Sequence, residues 1–173
     1  MTRASHSLVG LALGVGTIAV LGSAPGLLVG LGIIAGANLP DDLELPRRPD
    51  AFGNPRPPVI PHRTVTHWPW SYAIVMLALV AWRAPIALVG VGLALGALAH
   101  LLCDCASPHG IPWLSPFRSV RPNQAVYSTG RAAELLVVVP LLLLAGVAVA
   151  LRWSTYSAIA HGILALVMHP LAR

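Results

Sequence analysis

Charge is scarce in this chain. Only 10% of its 173 residues are Asp, Glu, Lys or Arg, and lysine is absent altogether. A soluble domain usually carries about 25% charged residues. With 56% apolar residues and a mean hydropathy of +0.75, too little polar surface remains to solvate a compact globule. A soluble enzyme and a disordered chain are thereby excluded, and the bilayer is the expected solvent. The length suits one membrane domain, residues 1–173, with no room for a second folded unit. Cysteine is nearly missing too: Cys103 and Cys105 stand alone, and an i, i+2 pair on a helix points in different directions. They read as small apolar fillers. No Gly-x-Ser-x-Gly elbow, glycine-rich phosphate loop or Cys-x-x-Cys pair is present. Gly-x-Gly occurs at Gly14–Gly16, Gly30–Gly32 and Gly90–Gly92, but inside apolar runs, where it signals close helix packing.

What the chain does have is long apolar runs. No charged side chain occurs from Ser5 to Pro40, and Gly22-Ser23-Ala24-Pro25-Gly26 breaks that stretch with turn formers. A hairpin of two short helices, Ser7–Leu21 and Gly26–Leu39, is expected. About fifteen residues reach only about 22 Å against a hydrocarbon core of about 30 Å. Further runs at Trp68–Trp82, Ala84–Cys103, Ala132–Leu151 and Ser154–Leu171 complete an all-α, polytopic integral membrane bundle of about six short transmembrane helices. Pro140 is expected to kink the fifth. Proline-rich polar segments, Asp41–His67 and Asp104–Arg131, connect the runs as loops, the first an extended loop or lid. The N-terminal run also fits a signal peptide, but Pro25 is a poor cleavage context and the second run argues for a retained hairpin.

Arginine placement orients these spans. The face holding both termini carries Arg3, Arg47, Arg48, Arg56, Arg63, Arg118, Arg121, Arg131 and Arg173, whereas the opposite face keeps only Arg83 and Arg152. The positive-inside rule puts the richer face in the cytoplasm of a plasma (inner) membrane protein. Trp82 and Trp153 lie beside the two minority arginines, as an interfacial aromatic belt requires. Trp68, Trp70 and Trp113 mark the near interface. No nucleic-acid partner is expected, because the arginines are spread over a membrane face and form no basic stripe.

The remaining polar residues gather on that same face. His6 opens the first helix, Asp41, Asp42 and Glu44 follow the second, and His62 and His67 precede the third. His100 and Asp104 close the fourth, His109 follows, and Glu134 opens the fifth. Five of six acidic residues and five of seven histidines thus converge. His100 and Asp104, at i, i+4, share one helix face as a metal-ligand pair needs, although a surface hydrogen bond explains the spacing equally well. Carboxylates just outside a helix C-terminus call for a compensating cation. Imidazoles with carboxylates suit zinc, one or two ions, or another divalent metal, and two metals suit phosphoester chemistry. Arg63 could meet an anionic substrate bidentately or serve as a cytoplasmic anchor.

At these residues the chain resembles the YdjM-like family of membrane-bound, metal-dependent hydrolases. The matching pieces are His6, Leu39-Pro40-Asp41, His62-Arg63-Thr64-Val65-Thr66-His67 and His100-Leu101-Leu102-Cys103-Asp104, with Gly110 and Ser115-Pro116-Phe117 downstream. The resemblance implies a distant likeness to zinc phospholipases C and single-strand nucleases, helical enzymes with a three-zinc cluster. By that likeness Asp41, His67, His100 and Asp104 hold one metal. His6 and the shared Asp104 hold a second, which the soluble relatives complete with an N-terminal amine. Met1 stands five residues ahead of His6, so that amine is not expected here. His109 and Glu134 take a third metal, together with a histidine four residues before the glutamate. This chain has Gly130 there, so the third site is expected to be weak or absent. Many relatives also carry a second aspartate two residues after the first, where this chain reads Asp42-Leu43-Glu44.

The expected function is a cytoplasm-facing membrane hydrolase acting on a phosphoester or lipid-derived substrate delivered by membrane lipids. Asp41, Asp42 or Glu44 would act as general base, with His62 and Arg63 beside them. Two other readings use the same residues. A small transporter would place ionisable groups at mid-membrane, where only His161 lies. A non-catalytic scaffold would close its metal site structurally.

Overall fold

Thr2 starts the first helix. Its backbone is extended and its hydroxyl accepts the Ser5 N–H, satisfying one of the donors a helix N-terminus leaves over. Helix α1 then runs Arg3–Leu21, four residues longer at its start than expected from hydropathy, because the cap and not the first apolar residue sets the boundary. Its 19 residues span about 28 Å, close to the thickness of a hydrocarbon core. Gly22 ends it in the left-handed region (φ 56°), where a side chain would be strained, and its N–H returns to the Ile18 carbonyl. Ser23 immediately caps α2, Ala24–Gly36, by accepting the Gly26 N–H.

The computed structural model describes residues 1–44, 50, 52, 54, 60, 63–116, 130, 132–153 and 157. After α2 come a single turn α3 (Leu39–Asp42), a 3-10 turn at Val65–His67, α4 (Pro69–Trp82) and α5 (Ala87–Cys105). A second 3-10 turn at Ala132–Glu134 leads into α6, Leu135–Leu151, which continues through Pro140. Among the described residues there is no strand. Among the described residues, three segments are long and apolar enough to cross a membrane: Arg3–Leu21, Ala87–Cys105 and Ala132–Leu151. The helices α2 and α4, of 13 and 14 residues, are shorter. Of the six expected spans, the described residues hold three long and two short helices; of Ser154–Leu171 they include only Ser157, and His161 lies outside them. Leu136, Leu143, Leu144 and Leu151 leave the outer face of α6 broadly exposed, which suits lipid and not water.

Neighbours pack in the order α6, α1, α2, α5, α4. The helices α2 and α5 run side by side on glycine: a Cβ at Gly32 would collide with the Val89 carbonyl, and one at Gly92 with the Val29 carbonyl. Gly36 and Gly96 repeat the contact one turn on. This close approach is the packing expected of small residues in membrane helices. It brings the C-terminal ends of α2 and α5 together with the starts of α1, α4 and α6.

Candidate metal centre

His100 is the best place to begin, because its chemistry is settled by one contact. Its Nδ1 lies 2.8 Å from the carbonyl oxygen of Ala37, at the end of α2. A carbonyl only accepts, so Nδ1 carries a proton, and in the neutral ring Nε2 then presents a lone pair. That Nε2 is buried, makes no hydrogen bond, and faces Asp41 Oδ1 at 3.6 Å and Asp104 Oδ2 at 3.8 Å. A lone pair facing two carboxylate oxygens in a buried site calls for a cation between them.

His67 closes the set. Its Nε2 is 3.4 Å from Asp41 Oδ1 and 3.7 Å from Asp104 Oδ2. The two imidazole nitrogens thus each lie 3.4 to 3.8 Å from the same two carboxylate oxygens, and Asp41, His67 and His100 form one close group of possible ligands. Ligands at about 2.0–2.1 Å from a tetrahedral ion stand roughly 3.4 Å apart, so these nitrogen–oxygen spacings are close to those a small divalent cation needs. The other face of the His67 ring is held by Thr66 Oγ1 at 3.1 Å and Glu44 Oε1 at 3.5 Å from Nδ1, the arrangement that orients a metal-ligating imidazole. Tyr72, on α4, donates its hydroxyl to the Thr66 carbonyl at 2.8 Å and so fixes the 3-10 turn.

A second group shares two of these residues. His6, His100 and Asp104 can also hold an ion, just as Asp41, His67 and His100 can. The His6 ring stacks on that of His100, centroids 3.7 Å apart, and its Nε2 lies 3.3 Å from Asp104 Oδ1. His100 is common to both groups, and Asp104 lies within 4 Å of all three histidines. Its Oδ1 also accepts the Met1 ammonium at 2.8 Å, although sequence distance had placed that amine elsewhere. The extended Thr2 cap turns Met1 back over the site.

Arg63 is placed differently from either expectation. Its side chain is buried, with Nη2 3.0 Å from Asp104 Oδ2 and Nη1 donating to Ser107 Oγ at 3.0 Å and the Gly110 carbonyl at 2.9 Å. Its backbone sits in the left-handed region (φ 57°), an unusual state for a residue with a Cβ. The guanidinium therefore braces Asp104 and the turn after α5, and faces neither bulk water nor a lipid headgroup.

The other sequence candidates fall outside the two groups. Asp42 is exposed and pairs with Arg3. Glu44 is behind His67. His109 is exposed in the turn after α5, and the Glu134 carboxylate is held by Thr2, Ser5 and Gly130. His62 lies outside the described residues. Sequence reasoning missed the Ala37 carbonyl, Ser107 and the Gly110 carbonyl. Backbone carbonyls leave no mark on a sequence, and Ser107 reads as an ordinary turn residue.

Among the described residues, Asp41 forms the accessible edge of the site. His6, His67, His100 and Asp104 are at most 2% exposed, whereas the Asp41 side chain is 27% exposed. Beside that edge, an apolar cavity of about 400 Å³ is lined by Leu43, Ile60, Val65, Thr66, Tyr72 and Val75. Leu43 is the neighbour of Glu44, and Thr66 that of His67, so cavity and centre share a wall.

Neither curated proteins nor solved structures give a match to this chain. A family model does: the one described as YdjM inner membrane protein, over residues 1–172.

Proposed function

Since the chain belongs to the YdjM inner membrane protein family, we propose that this membrane protein is a metal-dependent hydrolase acting on a phosphoester of a lipid-derived substrate. One observation carries the reading: two buried imidazole nitrogens each lie 3.4–3.8 Å from the same two carboxylate oxygens, with Asp41 the exposed edge of the group among the described residues. Asp41, His67, His100 and Asp104 are the residues that would hold the metal, with His6 and the shared Asp104 for a second ion. Neutral nitrogen and carboxylate donors in a four-fold set suit zinc. A bound ion there supplies Lewis acidity to a phosphoryl oxygen and makes water nucleophilic at neutral pH.

The chain's own groups do the rest. Asp104 keeps its geometry through Arg63, and the hydrogen bond to the Ala37 carbonyl turns Nε2 of His100 toward the site. Glu44 orients His67. Asp41, at the accessible edge, is the carboxylate in position to accept a proton from water. The apolar cavity beside Leu43 and Val75 takes the hydrocarbon part of the substrate, which enters sideways from the bilayer. The arginine distribution supports a cytoplasmic location for this face.

Metal analysis of the detergent-purified protein tests the reading. The wild type is expected to carry zinc, and His100→Ala and Asp104→Ala to lose it. Turnover of phosphodiester lipids by the loaded protein is expected to fall with the metal. Equal metal content in all three proteins would sink the proposal. Metal without turnover of any phosphoester would leave a scaffold with a structural site.

A further inference from the structure

Glu134 is buried at the start of α6, and both of its oxygens are taken. Oε1 accepts the Thr2 N–H at 3.1 Å and the Gly130 N–H at 2.7 Å. Oε2 accepts the Thr2 hydroxyl at 3.1 Å, the Thr2 N–H at 3.2 Å, and the Ser5 hydroxyl in a short contact. Every one of these donors is an ordinary N–H or O–H. The position at the N-terminus of α6 favours a negative charge. Four donors to one carboxylate leave it little freedom to turn.

The partners matter for what they adjoin. Thr2 and Ser5 form the capping turn of α1, and the next residue after Ser5 is His6. His6 is buried against His100 and directed at Asp104. Its own ring has no hydrogen bond at Nδ1 to fix its angle. The position of His6 is therefore inherited from the turn before it, and Glu134 fastens that turn to α6. Gly130 contributes a backbone N–H from a left-handed conformation (φ 76°), at the position where the family resemblance called for a histidine side chain.

We infer that Glu134 is not a metal ligand in this protein but a positioning residue, a clamp on the first turn of α1 that sets His6 at the second metal position. The inference rests on the proposed metal centre and adds that the centre holds two ions, not three. Remote partners of metal ligands commonly alter affinity by about 10–100-fold.

The test is zinc binding to the full-length protein in detergent, with stoichiometry and affinity read by chelator competition, for wild type, Glu134→Gln, and Ser5→Ala. Two ions per wild-type chain are expected. Glu134→Gln should weaken the second ion at least tenfold and leave the first unchanged. Ser5→Ala should weaken the same ion in the same direction, though less. Ser5 is half-buried and its substitution by alanine in a helix is mild, so this variant keeps the test open if Glu134→Gln does not fold. Three ions in the wild type, with a whole equivalent lost in Glu134→Gln and nothing changed in Ser5→Ala, would make Glu134 a ligand and overturn the clamp. So would a single ion in the wild type, or both ions unaffected by either variant. A wild type that binds no zinc at all would instead overturn the metal centre itself.

Discussion

Asp104 stands where an ammonium, a guanidinium and three imidazoles meet one carboxylate. Its orientation depends on Arg63, whose planar fork reaches Asp104, Ser107 and the Gly110 carbonyl together. A lysine carries a point charge and cannot make that set. Arg63→Lys is therefore expected to lower metal affinity by roughly 10–100-fold, read by chelator competition; an unchanged affinity would return Arg63 to the role of a plain membrane anchor. Tyr72→Phe deletes one hydrogen bond, to the Thr66 carbonyl, and is expected to cost about 1 kcal/mol of stability. Thermal unfolding in detergent measures it, and a loss near zero would mean the 3-10 turn holds without it. At this scale His6, Asp41, His67, His100 and Asp104 were legible as an ordered set of ligand-type residues. The bracing role of Arg63 was not, because an arginine beside a membrane reads as an anchor until its burial is known.

Among the elements, α2 and α5 set the geometry of the centre. Their glycines let the two backbones touch, and the Ala37–His100 hydrogen bond crosses the seam they form. A Cβ at Gly96 would strike the Ile33 carbonyl and the Gly36 backbone, which cannot swing aside as a side chain can. Gly96→Val is accordingly expected to destabilise by about 1–3 kcal/mol and to weaken metal binding with it. Gly146, on α6, has nothing within 4 Å of its would-be Cβ, so Gly146→Ala is the matched control and should be neutral or stabilising by up to about 1 kcal/mol. Equal melting temperatures for the two variants would refute the packing argument. Helix existence was legible from apolar runs, and Gly-x-Gly correctly signalled close packing. The boundaries were not, since Thr2 and Ser23 begin their helices through side-chain caps that hydropathy does not register.

For the molecule as a whole, the open question of sidedness has a direct test. In a background without Cys103 and Cys105, Arg83→Cys at the end of α4 is expected to react with an impermeant maleimide in intact cells. His109→Cys, exposed beside the metal centre, should react only after permeabilisation. The reverse pattern would place the centre outside the cytoplasm. Solvent and class were decided by composition: 10% charge cannot dress a soluble surface, so an all-helical membrane protein follows whatever the packing. Pattern also placed the ligand-type residues at one end of the bundle, because helix ends follow from where apolar runs stop. Convergence to within 4 Å is another matter. It depends on α2 lying against α5, on a cap that turns Met1 inward, and on which carbonyl the Nδ1 of His100 meets. Those contacts join residues tens of positions apart, and a one-dimensional pattern carries no term for the distance between them.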